Sequence, residues 1–279
     1  MRAIGSQILS SLFFSVLGME IKFFSNAINI ESIVFYRCLF GFLVISLIII
    51  IKRDRPNLLK TENFKIHFLR AIFGTGAMLF GYSALKYVPL AQATAIGFIK
   101  TFFVILLATI FLKEKFKKTN LLLAIFGFLG VYLSVNPDSL NSLYGSFLCL
   151  LASAFVAGGI ISISFLSKRE KTLSILFYNS FLSALITLMI FNNSIEFLTL
   201  DNYYAILMIC ITALSGQFFN IDSYREGKTS KIVIIGYVRI LFSFLLGFYI
   251  FGEQLTKIQI LGLLIIILTT LFTAKENRG

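Results

Sequence analysis

IGFIKTFFVILLATIFLKEK, residues 96–115, and IGYVRILFSFLLGFYIFGEQ, residues 235–254, decide how this chain folds. The two stretches align without a gap at an offset of 139, half of the 279-residue length. Ile96, Gly97, Phe103, Leu106, Leu107 and Glu114 meet Ile235, Gly236, Phe242, Leu245, Leu246 and Glu253, and Lys100 falls on Arg239. A second pairing, SIVFYR (32–37) with SILFYN (174–179), follows in the same order. The chain therefore reads as an internal duplication. Each copy carries a cation in the middle of a long apolar run, where a charge costs about 2.5–3.5 kcal/mol on insertion scales.

The composition places those runs in a membrane. The chain is 58% apolar and 14% charged, with 32 Phe, no Trp and a mean hydropathy of +0.90. Soluble domains run nearer half apolar and about a quarter charged. At about 20 residues per span the sequence divides into ten helices, at 4–25, 32–51, 66–86, 90–112, 119–136, 143–167, 172–191, 203–223, 230–251 and 256–274. A transmembrane barrel would show alternating ten-residue strands instead. Pro56, Pro89 and Pro137 all fall between spans, so any break within a span has to come from glycine. The first span carries Glu20 and Lys22 and no small-residue cleavage site, so it reads as a retained helix and not a leader. Cys38, Cys149 and Cys210 stand alone in apolar stretches, without disulfide or zinc spacing.

Loop charge sets the expected orientation. The basic segments are KRDRPNLLKTENFK, KEKFKK, SKREK and YREGKTSK. With Arg2, Lys275 and Arg278 they gather 18 Lys and Arg on one side, against Lys86 and Lys257 on the other. Both termini are expected in the cytoplasm. The net charge of +12 then faces the anionic leaflet, which explains it without nucleic acid.

Five spans per copy is an odd number, so the second copy enters from the opposite side. The expected architecture is all-α, with residues 1–138 and 139–279 as two inverted five-helix repeats. Secondary transporters built this way hold substrate near the midplane between the halves.

The doubled FLKEK and IFGEQ, FYR in the second span, and LKYVPLAQATAI leading into the fourth resemble the EamA-type branch of the drug/metabolite transporter superfamily. The resemblance covers essentially the whole chain. It implies ten helices, cytoplasmic termini in a bacterial inner membrane, and movement of a small organic metabolite. Within the superfamily, FYR, FLR, LFYN and GYVR are most similar to S-adenosylmethionine uptake carriers. Lys100 departs from the family pattern, which often carries Pro or an apolar residue there.

Charged and polar residues inside the spans are the candidate site. Lys100 and Arg239 each lie about ten residues from either helix end, and inversion brings them to the same depth. Two readings stand. They pair with backbone carbonyls or Glu20, or they face a wet central cavity as a duplicated cation site for an anionic group. Gly97 and Gly236 each precede the cation by three residues; Thr101, Ala108, Ser243 and Gly247 flank it with small side chains. Gln217 and Asn220 share a helix face. Tyr82, Tyr178 and Asn179 can hydrogen-bond a ligand or a neighbouring helix. Glu20 and Arg37 lie at comparable depth and are expected to pair, as structural glue or as a gate. Lys22 and Arg70, within about a turn of helix ends, read as snorkelling to headgroups. Glu114 and Glu253, ahead of the fifth and tenth spans, suit positive helix N-termini. The single histidine, His67, at a helix end, reads as satisfied or solvated.

No GxxxxGK[ST] loop is present to drive an ATP motor, and no cofactor or metal motif appears. The leading expectation is a secondary transporter for a small polar or zwitterionic metabolite, of amino acid or S-adenosylmethionine type. Its partners are that metabolite and the lipid bilayer, with a homodimer left open. The alternative is a membrane-embedded enzyme acting on a lipid. It would need convergent acid/base groups near one interface, and the chain offers few.

Overall fold

A computed structural model describes residues 2–25, 27–51, 59–88, 90–134, 142–197 and 199–251, and 256–276. Among them the chain is helical throughout, with no strand. The helices are α1 (Arg2–Phe24), α2 (Ile30–Ile51), α3 (Phe64–Ala84), α4 (Leu90–Gly97), α5 (Lys100–Phe111), α6 (Lys118–Ser134), α7 (Leu143–Ser167), α8 (Thr172–Phe191), α9 (Leu200–Glu226), α10 (Thr229–Ile235), α11 (Val238–Phe251) and α12 (Lys257–Glu276). Long apolar sequences close their own backbone hydrogen bonds only as helices in lipid, and these boundaries match the ten-span division within about three residues. Among the described residues eight segments are long and apolar enough to cross a membrane; α3, which carries Lys65, His67 and Arg70, is not among them, and α6 is a shorter apolar helix.

The exterior is apolar and the interior carries the polar groups. Leu43, Leu47, Leu106, Ile110, Leu264 and Leu268 all face outward, while Ser10, Ser11, Ser15, Ser164 and Thr101 are buried. That is the arrangement of an integral membrane protein, whose polar side chains turn to the bundle interior.

The fourth and ninth expected spans are each broken, and both breaks fall in the repeated motif. After Gly97 the amides of Phe98, Ile99, Thr101 and Phe102 bond carbonyls three residues back. After Gly236 the amides of Tyr237, Arg239 and Ile240 do the same. This is the tighter three-residue winding, and in both stretches it falls beside the glycine of the repeated motif. The breaks touch: the rings of Phe98 and Tyr237, equivalent residues of the two copies, lie 4.8 Å apart, and the Tyr237 hydroxyl donates to the Ala124 carbonyl at 3.1 Å.

Packing repeats across the halves. α3 packs along α7 as α1 packs along α9; α5 meets α7 as α11 meets α1; α2 pairs with α8 and α6 with α12. The α6–α12 approach is close. A Cβ on Gly130 would stand 2.9 Å from the Gly262 carbonyl oxygen, and one on Gly127 would meet the Tyr237 ring at 2.5 Å. Apolar cores lie on either side of the breaks, one around α5, α6, α7, α10 and α12, the other around α1, α2 and α9.

Candidate functional site

A cavity of about 260 Å³ lies between α1, α3, α7 and α9, floored by the two helix breaks. Its size sits just below the roughly 300–1,000 Å³ of ordinary small-molecule pockets. The α3 wall explains its shape: Arg70, Phe73, Gly74, Ala77, Met78, Gly81, Tyr82 and Leu85 form one helical stripe with small residues at its middle.

Four cations line this space: Arg37, Arg70, Lys100 and Arg239. Arg239 donates from Nη2 to the Phe14 carbonyl at 2.9 Å and stands over the Phe14 ring; its own carbonyl accepts from Ser15 at 2.9 Å and Ser243 at 3.0 Å. The Lys100 ammonium, at the first residue of α5, lies 4.9 Å from the Phe98 ring centroid. Arg37 donates to the Tyr82 hydroxyl, and Arg70 donates from Nη2 to Gln217 Oε1 at 3.2 Å. The Nε atoms of Arg70 and Arg239 are buried without a partner. No Asp or Glu is among the described residues lining the cavity. A charge at the centre of a membrane span costs about 2.5–3.5 kcal/mol on insertion scales, and here four cations share one cavity.

Of the residues singled out from sequence, Lys100, Arg239, Gln217, Asn220, Tyr82 and Arg37 come together here. Asn179 lies one step away, in a recess of about 20 Å³ shared with Arg37 and Gln217, its Oδ1 buried and unpartnered. Tyr178 does not reach the cavity. Its hydroxyl donates to the Leu59 carbonyl at 2.5 Å and its ring lies 4.6 Å from His67. The adjoining positions 178 and 179 point to different sides of α8, which a single sequence stretch cannot tell apart.

Three further expectations are corrected. Glu20 and Arg37 do not pair: Glu20 accepts from Thr212 at 3.1 Å, and Arg37 turns to Tyr82. The reason is packing, because α1 lies on α9 and α11 while α2 lies on α8. Arg70 does not snorkel; it is only 5% exposed and points into the cavity, where Gly74 leaves room for its guanidinium. Lys22 does not snorkel either, because its ammonium caps the end of α3 through the carbonyls of Leu85 and Val88. Sequence reading also passed over Gln7 and Ser11, which line the α1 wall four residues apart.

The remaining charges serve the scaffold. Glu114 accepts from the Thr229 and Ser230 amides at 2.7 and 3.2 Å and from the Ser230 hydroxyl at 2.5 Å. It thus caps α10, in the opposite half, and not the helix that follows it in sequence. Partial burial opposes its charge, but the bonds from Ser230 and Thr229 outweigh that and hold its carboxyl below the usual range. Glu253 lies outside the described residues. Asp222 accepts from Ser6 at 2.7 Å and from Arg2 at 3.3 Å. His67 is buried against Glu170 at 2.6 Å, and Glu170 also accepts from Thr61 and Asn63. Among the described residues no His, Cys, Asp or Glu group has the geometry to hold a metal.

The chain matches the EamA-like transporter family over residues 1–136 and again over 143–275. It is 26% identical over 275 residues to the pseudopaline exporter CntI of Pseudomonas aeruginosa, covering 98% of this chain and 95% of that protein. It is 25% identical over 277 residues to the S-adenosylmethionine uptake transporter of Rickettsia conorii, covering 96% and 91%. A solved crystal structure superposes with a TM-score of 0.78 at 13% identity over 99% of this chain, a likeness of fold alone.

Proposed function

The chain belongs to the EamA-like transporter family, and from that premise we propose that it is a secondary transporter carrying a small organic metabolite with at least one anionic group by alternating access. The family and the relatives are transporters, which sets aside the membrane-enzyme alternative. One observation carries the substrate reading: Lys100 and Arg239 stand at equivalent breaks in the two copies and line one cavity that has no acidic residue among those described.

The mechanism follows from treating residues 1–138 and 139–279 as inverted repeats of five spans, with α4/α5 and α10/α11 each a broken span. Three features support this: the doubled family match, the paired packing of the halves, and the Phe98–Tyr237 contact between equivalent residues. Rocking of one repeat against the other about that contact would expose the cavity to each side in turn while the cations stay in place. The loop charges support cytoplasmic termini, and the bacterial relatives support an inner membrane as the place of the chain. An amino acid or S-adenosylmethionine would place its carboxylate at Lys100 and Arg239, but its positive group finds no carboxylate partner on the described walls.

Counterflow of labelled ligand into proteoliposomes is the test. Trans-stimulated uptake of an anionic metabolite is expected. A strict preference for neutral or cationic solutes would refute the anionic reading, and channel-like flux without counterflow would refute alternating access. Reporter fusions after residue 140 and at the C-terminus check the orientation; a periplasmic C-terminus would refute it.

A further inference from the structure

The four cations of the cavity are not one cluster. Arg37 and Arg70 meet at Gln217, which accepts from Arg70 and shares a recess with Arg37, whereas Lys100 and Arg239 stand at the two breaks, which touch through Phe98 and Tyr237. Tyr82 lines the same cavity, hydrogen-bonded to Arg37. The pairs come from different parts of the fold. Arg37 and Arg70 are on continuous helices α2 and α3, whereas Lys100 and Arg239 sit at the breaks. Each pair keeps a buried, unpartnered Nε, on Arg70 and on Arg239. One carboxylate satisfies one pair and leaves the other repelling in a space without a counter-anion. The neutral groups beside the pairs, Gln217 and Asn220, complete a wall that can bond hydroxyl or carbonyl groups along a linker.

We propose that the metabolite is an organic dianion held at both ends, one anionic group between Lys100 and Arg239 and the other between Arg37 and Arg70. This rests on the transporter reading above and goes beyond it by assigning the second pair. Arg70 and Arg37 supply forked donors suited to a carboxylate or phosphate. Lys100 supplies a point charge. The volume of about 260 Å³ suits a chain of a few carbons between two anionic groups. A cation or net-neutral zwitterion would leave at least one pair uncompensated. The acid of α1, Glu20, accepts from Thr212 at one oxygen, keeps the other buried and unpartnered, and is not on the cavity wall.

The test is thermal stabilisation and counterflow of the purified full chain against probes matched in size. These are the dicarboxylates from succinate to pimelate, citrate, phosphoenolpyruvate, inorganic phosphate, butyrate, putrescine and S-adenosylmethionine. At least one two-ended dianion is expected to bind ten-fold or more tightly than butyrate, with no stabilisation by putrescine. Arg70→Met and Arg37→Met are expected to bring that dianion down to the level of butyrate. Arg70→Lys, which keeps a charge against Gln217, guards against a folding defect and should retain part of the preference. Inorganic phosphate matching the best dicarboxylate would overturn the two-ended arrangement in favour of a single anion site. Equal binding of butyrate and dicarboxylates, or preference for S-adenosylmethionine with counterflow, would overturn the dianion and leave the transporter standing. Binding of no dianion overturns the proposal. Binding without counterflow would uphold the dianion site and refute the transport reading.

Discussion

Replacing Lys100 and Arg239 by methionine separates a ligand site from structural glue. The Lys100 ammonium has no hydrogen bond among the described residues and one ring contact, to Phe98 at 4.9 Å, worth about 0.5–2 kcal/mol. Removing the charge recovers about 2.5–3.5 kcal/mol of desolvation. Lys100→Met should therefore gain about 0.5–3 kcal/mol. Arg239 gives up one charge-assisted bond to the Phe14 carbonyl, worth about 1.5–3 kcal/mol, and its place over the Phe14 ring, worth about 0.5–2 kcal/mol, against a gain of about 2.5–3.5 kcal/mol in desolvation. Arg239→Met should thus stay within about 2.5 kcal/mol of the parent. At about 2–4 °C per kcal/mol for a chain of this size, neither variant should melt more than about 10 °C below the parent. Melting of detergent-purified protein, read by intrinsic fluorescence, measures this. Ligand-induced stabilisation and uptake should be lost in both. Arg239→Lys should be intermediate, because it keeps charge without the fork. If the two cations share one anionic group, the double variant should cost little more binding than the worse single one. Misfolding of both methionine variants, or normal uptake by Lys100→Met, would refute the site.

Glu114→Gln should lower stability by about 1–2 kcal/mol near neutral pH, because it weakens the charge-assisted cap of α10. The carboxyl is held below its ordinary value, so its stabilisation is complete above about pH 4.3 and fades as pH falls towards the lower folded value; the variant's melting curve should lose that acid-side slope. Glu170→Ala should cost about 1–3 kcal/mol, because it leaves a buried His67 ring nitrogen without its partner and releases Thr61 and Asn63; faster proteolysis between residues 59 and 63 would report it. Gly130→Ala should destabilise the α6–α12 packing, since its Cβ would meet a backbone carbonyl 2.9 Å away, whereas Gly97→Ala meets nothing within 4 Å and should melt like the parent.

Much of the fold was legible because a membrane narrows the choices. Helix positions follow from apolar length, and the helix boundaries agree within about three residues. The breaks were legible too, as glycines inside a duplicated motif. What sequence could not supply was azimuth. Arg70 and Lys22 each lie about a turn from a helix end, and both were assigned to headgroups. Burial sent one into the cavity and the other onto the carbonyls of α3. Their depth is similar; their direction is fixed by which neighbour each helix packs against. The same ignorance of neighbours produced the Glu20–Arg37 pairing and the inclusion of Tyr178. A readable signal did exist for Arg70, because it begins the stripe of Gly74, Ala77, Met78, Gly81 and Tyr82 on one face of α3.

The coincidence of cation and break has a physical reason. A continuous apolar helix would carry Lys100 or Arg239 at mid-depth with its axis fixed. The three-residue winding after Gly97 and Gly236 interrupts the helix at that point, where Phe98 meets Tyr237. Backbone irregularity at this depth is tolerable only beside protein or a wet cavity, and a charge at this depth is tolerable under the same condition. The two costs therefore share one remedy, a polar space at the repeat interface. The motif at residues 96–100 and its counterpart at 235–239 each carry both features. The second cation pair, Arg37 and Arg70, has no counterpart in that argument, because neither break needs it and both lie on unbroken helices. Their presence on the same wall, without an acid beside them, is what a ligand with a second negative end would require.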